Sequence, residues 1–180
     1  MSRRTGLHAR TWAAGLVSVW MVAALLCTDA VALRGLGKGD RLPDMTFVGI
    51  TGDGGTLSSF SGEKGLVVIY WATWSSRSPE ILGFAEKELK RYEALGLKFL
   101  AVNADHQEMT VAEIAKVRES ADTMRLSFPV VLDAGLKGYN DIGIITVPTT
   151  LILRPDLTLA EAYPGFPSVA RHEIPDRLDA

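Results

Sequence analysis

From Gly65 to Ala72 (GLVVIYWA) the chain runs apolar without a polar interruption. The β-branched and aromatic content of this run predicts a central strand covered on both faces. Upstream, Met45 to Thr51 (MTFVGIT) predicts a strand. Asp53-Gly54-Gly55 signals a hairpin turn, and Thr56 to Phe60 a short returning strand and loop. From Pro79 onward, apolar residues fall at Ile81, Leu82, Ala85, Leu89 and Tyr92, the spacing of a helix, with Gly96 just past its end. Leu97 to Asn103 is the next strand. Thr110 to Met124 reads as an amphipathic helix with Val111, Ile114, Ala115, Val117 and Met124 as its apolar members. Phe128 to Leu132 predicts a short strand and Ala134 to Ile142 a short helix. Thr149 to Leu153 and Leu157 to Tyr163 form a hairpin around Arg154-Pro155-Asp156. Ser168 to Ala180 begins a helix that Pro175 interrupts. This order predicts an α/β fold with a mixed central sheet flanked by helices and an N-terminal β-hairpin.

The N-terminus follows another pattern. Arg3, Arg4 and Arg10 precede an apolar run, Ala13 to Leu26, that is short for a membrane span, and Ala30-Val31-Ala32 is a small-x-small cleavage site. Residues 1–32 are therefore expected to be a signal peptide cleaved after Ala32, giving a periplasmic or otherwise exported protein; a retained membrane anchor is the alternative. Leu33 to Pro43 is Gly-rich and reads as a flexible linker, with the domain spanning 44–180. The Gly-x-Gly-x-Gly in the linker is no phosphate loop, because no strand precedes it and no Gly-Lys-Ser/Thr follows.

The whole chain has a net charge of −2, which gives no support to nucleic-acid binding. Without residues 1–32 there remain 16 basic and 20 acidic residues, a net −4. The single cysteine, Cys27, lies in the signal segment, so the exported chain would hold no thiol. Leu26 before Cys27 argues against a lipid-attachment site.

Candidate chemistry centres on WATWSSRS, Trp71 to Ser78, between the central strand and the first long helix. Serine catalysis needs a base and an orienting group. Neither His106 nor His172 can be placed beside Ser75 or Ser78, and no Gly-x-Ser-x-Gly elbow is present. Ser78-Pro79-Glu80 instead reads as a helix start, with Ser78 as cap, Pro79 first in the helix and an acid in the first turn. Asp105, His106 and Glu108 share one loop, which reads as solvated rather than metal-binding. No metal and no cofactor is expected.

VVIYWATWSSRSPE, FLAVNAD, FPVVLD and TVPTTLILRPD, in this order, resemble the TlpA/ResA-like branch of the thioredoxin superfamily, over Asp44 to Gly165. The resemblance implies a thioredoxin-like fold, an envelope location and thiol–disulfide chemistry at a Trp-Cys-x-x-Cys turn. Here that turn is Trp74-Ser75-Ser76-Arg77-Ser78, so no catalytic residue is carried over. Exchange needs a thiolate and a second sulfur, which Ser75 and Ser78 cannot supply. A glutamate that many relatives carry three residues after the second cysteine is Ile81 here, and Glu80 lies one residue early. By resemblance Pro148 is a cis-proline facing the turn, with Val147 as its hydrogen-bonding neighbour. Trp71 is expected in the core and Trp74 partly exposed. The expected function is a redox-inactive module holding an extended peptide or an envelope protein between Trp74–Ser78 and Val147–Pro148. The alternative is an active thiol–disulfide oxidoreductase or peroxiredoxin-like antioxidant enzyme.

Overall fold

The computed structural model describes residues 33–179. The signal segment, its cleavage point and Cys27 lie outside the described residues. Seven strands build one mixed sheet in the order β2-β1-β5-β4-β3-β6-β7. They are β1 (Thr46–Gly49), β2 (Gly55–Thr56), β3 (Gly65–Trp71), β4 (Leu97–Asn103), β5 (Val130–Leu132), β6 (Thr149–Leu153) and β7 (Leu159–Pro164). β3, β4 and β5 are parallel to one another, while β6 runs antiparallel to β3 and pairs with β7 as a hairpin.

The unbroken apolar run of β3 is explained by its place. Leu66, Val68 and Tyr70 face one core, shared with Val102, Leu151 and Ile142. Val67, Ile69 and Trp71 face the other, under the helices. Those helices are α1 (Ser78–Phe84), α2 (Val111–Met124) and α4 (Ala170–Asp179), while α3 (Lys137–Asp141) leads Ile142 into the first core.

Several elements depart from the sequence pattern. The helix begun by α1 continues past Phe84, but with a wider winding over Ala85–Leu89 and a tighter one over Lys90–Leu95. Its buried positions explain the change. Ile81, Ala85 and Leu89 are four residues apart, more than one ordinary turn, and a wider turn keeps them facing the sheet. The three-residue step from Leu89 to Tyr92 suits the tighter winding. Gly96, at φ 92°, ends the helix.

α2 starts with a capping box, in which Thr110 Oγ1 accepts from the Glu113 N–H (3.3 Å) and Glu113 accepts from the Thr110 N–H (2.7 Å). Val111 beside the cap is 86% exposed rather than part of the apolar face; Val117 and Ala121 carry the burial. Pro175 does not interrupt α4. Ala170 and Ile174 bury fully just before it, and the Tyr92 hydroxyl donates to Asp179 (2.7 Å) at the helix end.

The stretch 33–43 is not a free linker. Leu33 and Leu42 are buried in the core. The Arg34 N–H donates to Gly143 O (2.7 Å), that of Gly39 to Leu159 O (2.9 Å) and that of Leu42 to Leu157 O (3.0 Å). The glycines let the backbone lie flat along the start of β7, and the two leucines anchor it.

Candidate functional site

The turn after β3 sits at the carboxyl ends of the parallel strands, next to the antiparallel β6, where open α/β sheets commonly leave a crevice. Short backbone bonds shape it: the Ser75 N–H donates to Ala72 O (3.2 Å) and the Ser78 N–H to Ser75 O (3.0 Å). Ser78 is not the helix cap. It lies inside the first helical position, after Arg77, and no side chain caps this helix. Its buried hydroxyl instead accepts the Ala72 N–H (3.2 Å), giving a partner to a buried donor at the end of β3.

Ser75 is nearly buried and donates its hydroxyl to Val147 O (3.3 Å). This bond joins the turn to the loop before β6. The Val147–Pro148 peptide bond is cis. The Pro148 carbonyl accepts from the Gly165 N–H (2.7 Å) at the end of β7. Trp71 is buried under the helices, whereas Trp74 is 63% exposed beside Ser75. Ser76 and Arg77 are exposed. The Ser75–Val147 hydrogen bond thus brings the Trp74–Ser78 turn and the Val147–Pro148 segment together. Ile81 is fully buried, and Glu80 points away toward Arg171 (3.5 Å).

Sequence reasoning missed two supports of this turn. Asp105 holds it from the neighbouring strand end, accepting from Thr73 N (2.6 Å), Thr73 Oγ1 (2.7 Å) and Asn103 Nδ2 (3.1 Å). Asp105 is thereby occupied as an acceptor, while His106 turns to Glu113 (3.7 Å). Arg171 of α4 lies 4.8 Å over the Phe166 ring while it pairs with Glu80. On the opposite flank a cleft of about 340 Å³ opens between Ser78, Pro79 and the Glu119–Met124 end of α2. The contacts that tie the turn to other elements are not local: Thr73 and Asp105 are 32 residues apart and Glu80 and Arg171 are 91 apart.

The AhpC/TSA family model matches residues 38–162, most of the chain, including the Trp74–Ser78 turn and Val147–Pro148. The chain belongs to the AhpC/TSA family. Within it, the chain is 29% identical over 175 residues to the thioredoxin-like protein YneN of Bacillus subtilis, covering 94% of this chain and 98% of that one. It is 27% identical over 158 residues to the thiol-disulfide oxidoreductase ResA of Halalkalibacterium halodurans, covering 81% and 86%. A Chlorobium tepidum structure described as a thiol:disulfide interchange protein, DsbE, superposes with a TM-score of 0.70 at 22% identity, over 79% of this chain and 96% of that one. At that identity the likeness bears on the fold alone, and the fold is thioredoxin-like. In this AhpC/TSA domain Ser75 and Ser78 flank the turn after β3, and residues 33–180 hold no cysteine.

Proposed function

We propose that this protein is an exported, redox-inactive member of its family that binds an extended peptide or a partner protein. The observation carrying this reading is the serine pair. Thiol–disulfide exchange requires a thiolate attacking sulfur, and no cysteine follows Cys27. Ser75 and Ser78 are also both committed structurally, one to Val147 O and one to the Ala72 N–H. The groove beside them keeps its open tryptophan and its extended wall at Val147–Pro148. The signal-like pattern of residues 1–32 supports export.

The rival is an active oxidoreductase, the activity by which ResA is named. One experiment separates the two. The full chain is assayed for insulin reduction with a thiol reductant and, in parallel, for binding of fluorescent extended peptides. The proposal expects saturable binding and no turnover above the blank. Turnover would overturn it, and absence of any peptide or protein ligand would remove the binding function.

A further inference from the structure

We propose that the groove selects peptides carrying an acidic side chain next to an apolar one, with Arg77 reading the acid and Trp74 the apolar residue. This rests on the peptide-groove reading above and adds the chemistry of the ligand.

Arg77 sits in the turn itself, between Ser75 and Ser78, and is exposed. Its guanidinium reaches across to the opposite wall. Nη1 lies 3.7 Å from where a Cβ on Gly165 would stand, and Gly165 donates its N–H to Pro148 O. That is ordinary van der Waals distance, so the guanidinium lies directly against the Gly165 backbone, whose φ of 71° favours glycine. Among the described residues Arg77 has no ion-pair partner. The other cation on this face, Arg171, is neutralised by Glu80 (3.5 Å) and packed over Phe166. On the other flank Asp105 is taken up by Thr73. Arg77 is therefore a cation without an ion-pair partner among the described residues, in a chain whose net charge is −2, while the Asp105 carboxylate stays anionic on the far side of the turn, its oxygens held by Thr73. A guanidinium presents a planar fork of N–H donors that matches a carboxylate.

The neighbouring surface is apolar. Trp74 is 63% exposed, and Ile145, two residues before Val147, is 48% exposed. The Ser75–Val147 hydrogen bond ties their two loops together, and on the groove reading both are within reach of one peptide. A cation beside exposed apolar surface fits a peptide better than a small anion, which would leave Trp74 and Ile145 uncovered.

The test uses the full chain and three labelled nonapeptides that share an apolar anchor and differ only in the next residue, Glu, Gln or Lys. Binding is read by anisotropy and by Trp74 fluorescence. The Glu peptide should bind about threefold to fivefold tighter than the Gln peptide, the range of an exposed ion pair, with Lys weakest. The gap should shrink as salt rises past about 0.15 M. Arg77→Glu should invert the order. Arg77→Gln should level it, and serves if the charge reversal unfolds the chain. Binding with the same order in wild type and both variants overturns the selectivity but leaves the groove. No binding of any peptide overturns the groove reading and this inference with it.

Discussion

Ser78 shows why the turn keeps its shape without sulfur. Its hydroxyl is the acceptor for the buried Ala72 N–H, a task for which a thiol is a poor substitute. Ser78→Ala leaves that donor unsatisfied and should cost about 1–3 kcal/mol of stability, measured by urea unfolding. A change within error would mean that the bond contributes nothing. Asp133 is a second buried group with a readable consequence. Burial pushes its carboxyl above the usual value of 3.8, and the N–H groups of Gly138 (2.9 Å) and Tyr139 (2.6 Å) pull against that rise. Between 3.8 and the raised value the folded protein holds a proton that the unfolded chain has released. Its contribution to stability therefore falls as pH rises through that window and returns on acidification. Asp133→Asn removes the titration while keeping one acceptor oxygen. The melting temperature of wild type minus that of Asp133→Asn should drop as pH increases from about 4; a flat or rising difference would show that Asp133 is not raised.

At the scale of elements, legibility followed the range of the interactions. The strands Leu97–Asn103 and Thr149–Leu153 stand where their apolar runs stand, because a buried strand needs apolar residues on both faces. The capping box of α2 is likewise local, Thr110 to Glu113. The stretch from Leu33 to Leu42 was illegible for the opposite reason. It has no periodicity, its glycines look like a linker, and its partners Gly143, Leu157 and Leu159 lie over a hundred residues away. The groove was half legible. The pairing of Trp74–Ser78 with Val147–Pro148 is implied by family resemblance, but the Thr73–Asp105 clamp, the committed hydroxyl of Ser78 and the reach of Arg77 to Gly165 are tertiary facts. If the segment is part of the fold, Leu42→Ala should cost about 2–5 kcal/mol, as a fully buried leucine does. A loss below about 0.5 kcal/mol, the level of an exposed site, would return the segment to the status of a linker.

For the molecule as a whole, the two cores meet along β3 and the serine turn only closes its end, so the fold does not depend on chemistry at that turn. Wild type, with no cysteine after Cys27, should melt cooperatively at one temperature with and without reductant. Restoring the sulfurs tests whether the scaffold is still that of a redox turn. The Ser78 N–H to Ser75 O bond (3.0 Å) closes a four-residue turn, which holds the two Cα atoms within about 7 Å, in reach of a disulfide. The double variant Ser75→Cys plus Ser78→Cys should therefore oxidise readily. The loop it closes is short, so chain entropy limits the gain to about 2 kcal/mol. Oxidised protein should melt higher than reduced by no more than about 4–8 °C. Reductase activity should appear at a low level, because Ile81, buried behind the turn, offers no acid for proton transfer. A double variant that stays reduced under mild oxidation would show that Ser75 and Ser78 do not stand in disulfide geometry, and the peptide-groove reading would lose its main support.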